Sequence, residues 1–140
     1  VREILFRGMT GDGEWIYGNL NNCSSGVFIT QPDSIDITTG FSKCKMGGLI
    51  SSYKVKSETV GQYTGLKDKH GVKIFEGDRI KWHYQYRETN SIVVGTVEWD
   101  TCNPCFVVNG DNEHSLEYDF IMAGCCELDV LGNIHEQELK

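Results

Sequence analysis

Two glycine-bearing turns fall within one short stretch, Glu58 to Lys81 (ETVGQYTGLKDKHGVKIFEGDRIK), and this stretch constrains the fold more than any other. Val60, Gln62 and Thr64 alternate with Gly61, Tyr63 and Gly65, the period-two spacing of a strand. Leu66 leads into Lys67-Asp68-Lys69-His70-Gly71, and Val72-Lys73-Ile74-Phe75 reads as the return strand. Asp68 and Gly71 suit a type I turn closed by a left-handed residue, a conformation glycine takes without steric cost. Glu76-Gly77-Asp78 forms a second corner, after which Ile80, Trp82 and Tyr84 share one face and Arg79, Lys81 and His83 the other. A strand, a Gly-Asp corner and another strand commonly open small SH3-like barrels. The expected fold is therefore mainly β, with the barrel in the second half, an analogy that carries no function of its own.

The rest of the chain supports a β reading. Arg2 to Arg7 alternates, with Ile4 and Phe6 predicted inward; Thr10-Gly11-Asp12-Gly13 is a turn; Glu14 to Leu20 completes a hairpin. Val27 to Ile29 and Ile35 to Ile37 are short strand candidates. The segment from Thr38 to Ser52 shows no period and is predicted as a loop, and Ser51 to Ser57 as an extended linker. A polar loop is expected over Gln85 to Ser91. Ile92 to Trp99 is the strongest strand signal, rich in β-branched residues, and Gly95 within it suggests the bulge or tight bend that lets a small barrel close. Cys105 to Val108, Leu116 to Phe120 and Leu128 to Ile134 are the remaining strands, with one helical turn around His114 to Asp119 as the alternative for the second. With 140 residues, 16 Gly and 2 Pro, the chain fits one compact unit of short strands joined by tight turns.

Composition limits the functional classes. No apolar run approaches the ~20 residues of a spanning helix, and no basic-then-apolar signal opens the chain, so an intracellular location is expected and the six cysteines are expected as thiols. Net charge is −7, unevenly spread. Lys54 to Lys81 holds seven Lys/Arg against four Asp/Glu, whereas Glu98 to Lys140 holds ten acids and one Lys. The acidic last third disfavours indiscriminate phosphate binding but leaves a local basic hairpin.

Several segments together resemble the YopX family, found in phages and bacterial prophages and largely of unknown function. They are Glu58 to Asp68 with Gly71, Ile74-Phe75-Glu76-Gly77-Asp78, Arg2 to Arg7, Trp15-Ile16-Tyr17-Gly18, and Val130-Leu131-Gly132-Asn133-Ile134-His135, in the right order along almost the whole chain. Cys102-Asn103-Pro104-Cys105 and Cys125-Cys126 depart from the family pattern. The resemblance implies an N-terminal β segment (1–57) and a C-terminal SH3-type barrel (58–140) in the cytoplasm of a bacterial host. It brings no catalytic residues.

Candidate chemistry is sparse. Cys102-x-x-Cys105 can ligate zinc, with two further ligands from Cys125, Cys126 or His114, or cycle as a redox pair; inert thiols are the plainer alternative. His70, His83, His114 and His135 stand at no recognisable spacing from a nucleophile, and no hydrolase, zincin or phosphate-loop motif is present. No cofactor and no enzymatic activity are expected. Glu113, Glu117 and Asp119 match no calcium loop. Trp82, Tyr84, Trp99, Phe106 and Tyr118 either fill the interior or dock a ligand. Trp82 and Tyr84 with Arg79 and Lys81 are the candidate binding face. The expected partner is a protein or a second copy of the chain, with single-stranded nucleic acid as the alternative and no membrane.

Overall fold

The computed structural model describes residues 3–31, 51–86, 89–102, 104–111, 118–119 and 127–136. The predicted strand at Ile35 to Ile37, most of the predicted loop at Thr38 to Ser52, and His114, Cys125 and Cys126 lie outside them. The described residues form β-strands, turns and one 3-10 turn, and no helix among them is long and apolar enough to cross a membrane. The chain divides into two units, Glu3–Gln62 and Tyr63–Lys140.

In the first unit, β1 (Phe6–Met9) and β2 (Trp15–Cys23) make the predicted hairpin, Phe6 facing Gly18 and Met9 facing Trp15. Ile4 precedes the strand and is 65% exposed, so it is not inward as predicted, and β1 does not alternate in burial: Phe6 is half-buried and Arg7, Gly8 and Met9 are all buried. β3 (Gly26–Gln31) pairs with β2 and with β4 (Ser51–Val55). The predicted linker is thus a strand in its first five residues. It is held because Val55 joins Ile16 and Ile29 in a buried cluster, with Phe6, Val27 and Val60 packed against it. Lys56 N–H then donates to Met9 O at 2.8 Å, and Met9 N–H to Thr59 Oγ1 at 2.8 Å. Thr59 sits in the 3-10 turn Ser57–Thr59, after which β5 (Gly61–Lys67) begins and pairs with β1.

The second unit starts within β5 and builds the central stretch largely as its sequence predicts. β6 (Lys73–Phe75) returns antiparallel to β5. Gly71 (φ 82°) and Gly77 (φ 89°) both adopt the left-handed conformation that favours glycine at such corners. Asp68 organises the first turn. Its Oδ1 accepts the N–H groups of His70 (2.8 Å) and Val72 (2.9 Å), and its Oδ2 accepts Val130 N–H at 3.3 Å. Burial alone would raise the Asp68 carboxyl, but the Val72, Val130 and His70 amides outweigh it and hold the group below its ordinary range. Asp78 closes the second corner by accepting Phe75 N–H at 2.8 Å.

Beyond that corner, β7 (Asp78–Tyr86), β8 (Thr89–Asp100), β9 (Cys105–Gly110), β10 (Tyr118–Asp119) and β11 (Glu127–Asn133) form an antiparallel sheet in the order β10-β9-β8-β7-β11. The predicted polar loop shrinks accordingly, because β7 runs to Tyr86 and β8 starts at Thr89. Ile74, Ile80, Trp82, Val97, Phe106, Val108 and Leu128 make its core, with Leu66, Val93 and Val130 packed against them.

The SH3-like barrel is not formed: neither sheet closes, and β10 and β11 stand at opposite ends of this one. Gly95 is part of the difference. It is no bulge, because the register runs unbroken through it, Ile80 to Gly95 on one side and Gly95 to Gly110 on the other. A Cβ there would lie 2.4 Å from Asn109 O, so the glycine serves close approach of the β9 backbone rather than a bulge. The register shift falls instead between Val130 and Gly132 of β11, the edge strand. That edge is occupied at two points by the Asp68 turn, where Lys69 N–H donates to Leu128 O (3.0 Å) and Val130 N–H to Asp68.

Candidate interaction face

Strand alternation in β7 divides the candidate binding residues. Trp82 is fully buried in the core with Ile80 and offers no accessible ring. Arg79 and Lys81 point to the opposite face, as neighbours on an extended strand must. Tyr84 continues β7, and its side chain lies outside the described residues. An aromatic ring of Trp82 beside the Lys81 ammonium is therefore not assembled. The aromatics instead meet inside and at the sheet's end, where Trp99 (44% exposed) packs edge-on to buried Phe106 with centroids 4.9 Å apart.

What the fold does assemble is the outer face of β7, β8 and β11. Register sets Arg79 opposite Thr96, Lys81 opposite Val94 and His83 opposite Ile92. On the other flank, Lys81 faces Asp129 and His83 faces Glu127. Ile92 is 58% exposed, whereas Val94 and Thr96 are half-buried, so an apolar strip runs along β8 between charged flanks.

Arg79 is the residue of this face that an acid grips directly. Arg79 donates from Nη1 to Thr96 Oγ1 (2.9 Å) and to Asp111 Oδ1 (2.6 Å), and from Nη2 to Asp111 Oδ2. This bidentate grip depresses the Asp111 carboxyl below its usual range and strengthens the guanidinium's hold on its own proton. Asp129 receives Lys69 Nζ at 3.7 Å and His70 Nε2 at 3.8 Å. Farther along, Asn109 donates to Glu98 Oε2 at 3.3 Å. Of the two cations that the sequence offered on this face, Arg79 is thus already neutralised locally, whereas Lys81 stands in register with Asp129. Asp111 lies 32 positions from Arg79. Nothing in the local sequence announces their pairing; the Asn-Gly-Asp turn after β9 is the only trace.

Cys102 and Cys105 stand at the other end of the sheet, both as thiols, Cys102 exposed on the turn and Cys105 half-buried at the start of β9. Among the described residues no group of three His, Cys, Asp or Glu could hold a metal ion, and the further ligands considered from sequence, His114, Cys125 and Cys126, lie outside them. His70 is exposed at its turn tip, and His83 half-buried on the outer face.

Comparison with curated proteins finds no significant match. Comparison with protein families does: the family described as YopX protein matches residues 6–139, spanning both units and both glycine corners. The chain therefore belongs to the YopX family.

Proposed function

We propose that this protein is a non-catalytic accessory protein of a phage or prophage that acts in the host cytoplasm by binding a protein partner through the outer face of β7 and β8. One observation carries the reading: an exposed Ile92 and half-buried Val94 and Thr96 lie beside β7, on which Arg79 is paired with Asp111 and Lys81 and His83 stand in register with Asp129 and Glu127. An apolar strip with a charge-balanced rim is the anatomy of a protein interface, whereas a nucleic-acid surface needs uncompensated cations. The fixed Arg79–Asp111 pair adds orientation without net charge.

The test compares the wild-type chain with Ile92→Asp, a substitution at an exposed position that leaves the core intact. Both are used to capture proteins from induced host cells, and both are weighed in solution by light scattering. The reading predicts a partner, or a dimer, present with the wild type and lost with I92D at unchanged circular dichroism. Identical capture and identical mass for the two chains would overturn it.

A second reading has one observation in its favour. Lys67 and Lys73 face each other directly across β5 and β6, which sets two positively charged side chains side by side. Single-stranded nucleic acid is the corresponding partner. Salt-sensitive retention on single-stranded DNA, lost with Lys67→Gln, would favour it over the protein-binding reading.

A further inference from the structure

The Cys-x-x-Cys motif is not used by the interaction face, and its setting points to chemistry of its own. The last register pair of the β8–β9 hairpin is Asp100 with Cys105, so the chain passes from one strand to the other within four residues of sequence. There, Cys102 N–H donates to Asp100 Oδ1 at 2.9 Å, which folds the chain back toward the residue opposite Cys105. Pro104 fixes φ immediately before Cys105. Cys102 N–H and the Cys105 backbone thus both adjoin Asp100, and a disulfide can join two cysteines whose Cα atoms lie within about 7 Å. Cys102 is exposed, and Cys105 is only half-buried.

We propose that Cys102 and Cys105 are a redox-active dithiol that closes to an intramolecular disulfide by exchange with a low-molecular-weight disulfide, glutathione disulfide being the probe. The exposed Cys102 thiolate attacks one sulfur of the probe, breaking its S–S bond, forming a mixed disulfide and releasing one glutathione thiolate. The Cys105 thiolate then attacks the Cys102 sulfur and expels the second glutathione thiolate. The two thiol protons pass through solvent to the released thiolates. The pair loses two electrons, and one glutathione disulfide becomes two glutathiones. A small exposed ring of this kind belongs to the readily reduced class of disulfides, so the exchange is reversible. Cys23 supplies an internal comparison. It is exposed on the β2–β3 turn, with Ser25 Oγ at 3.2 Å from its sulfur, and no second thiol adjoins it among the described residues. The proposal is independent of the interaction face.

The 140-residue chain is equilibrated in buffers of varied reduced-to-oxidised glutathione ratio, acid-quenched, alkylated and mapped by peptide mass spectrometry. The expected result is a Cys102–Cys105 linked peptide whose abundance rises with the ratio of glutathione disulfide to the square of reduced glutathione, with Cys23 carrying glutathione only. Cys105→Ser is expected to abolish the linked peptide and trap glutathione on Cys102. Two outcomes would overturn the proposal: both cysteines remaining alkylatable at every ratio, or each carrying glutathione or another protein cysteine in place of the link.

Discussion

Replacing Asp68 tests whether the first glycine turn is a structural staple. The carboxylate is 8% exposed and accepts three backbone amides, two from its own turn and one from β11. Hydrogen bonds to a charged acceptor contribute roughly 1.5–3 kcal/mol each, but His70 and Val72 are exposed and water recovers part of theirs. Asp68→Ala should therefore destabilise the second unit by about 2–3 kcal/mol, a large share of the ~5–15 kcal/mol that small domains possess. Asp68→Asn keeps one acceptor oxygen for the turn but sets a donor NH2 against Val130 N–H, so about half that loss is expected. The pH dependence has a fixed sign. Because the folded carboxyl titrates below its unfolded value of about 3.9, its contribution is complete above that value and disappears as pH falls through the folded one. Urea titration of the three chains at neutral pH and near pH 3 reads both effects, and amide exchange at Val130 localises them. The gap between wild type and D68N should narrow in acid. A D68A chain within ~0.5 kcal/mol of wild type, or a gap that widens in acid, would refute the staple.

Other substitutions probe the sheet. Gly95→Ala places a methyl 2.4 Å from the Asn109 carbonyl position, so the β8–β9 ladder must separate; we expect a loss of ~2–4 kcal/mol in denaturant titration, well beyond a helix-propensity or entropy effect. Asp111→Asn removes the charge that grips Arg79, yet the Asp111 side chain is 49% exposed and solvent screens the pair; the expected loss is only ~0.5–1 kcal/mol, shrinking in high salt. A salt-independent loss of several kcal/mol would mean that Arg79 is held by something other than Asp111.

The local features were legible because they are written in neighbouring residues. Asp68 with Gly71, and Gly77 with Asp78, specify their corners through turn chemistry, and the structure keeps both. The alternation of β7 likewise separates Ile80 and Trp82 from Arg79 and Lys81. Where the reading failed, the decisive partner was remote. Ser51 to Ser57 reads as an extended linker, and its first five residues become a strand because β3 and the buried cluster around Val55 hold them. Gly95 permits either a bend or a close approach, and only the position of Asn109 O distinguishes them.

By itself the sequence determined a β protein with two glycine corners and a family membership, since turns and alternation depend on contacts a few residues apart. The tertiary structure decided that the second sheet stays open, that Trp82 is core, and that Arg79 is gripped by Asp111 while Lys81 and His83 stand in register with the acids of β11. Those outcomes depend on strand order and register, which are fixed by packing between segments 30 to 60 residues apart, as in Arg79 with Asp111 and Asp68 with Val130. Period-two alternation assigns each side chain a face, but leaves open which strand will lie beside it.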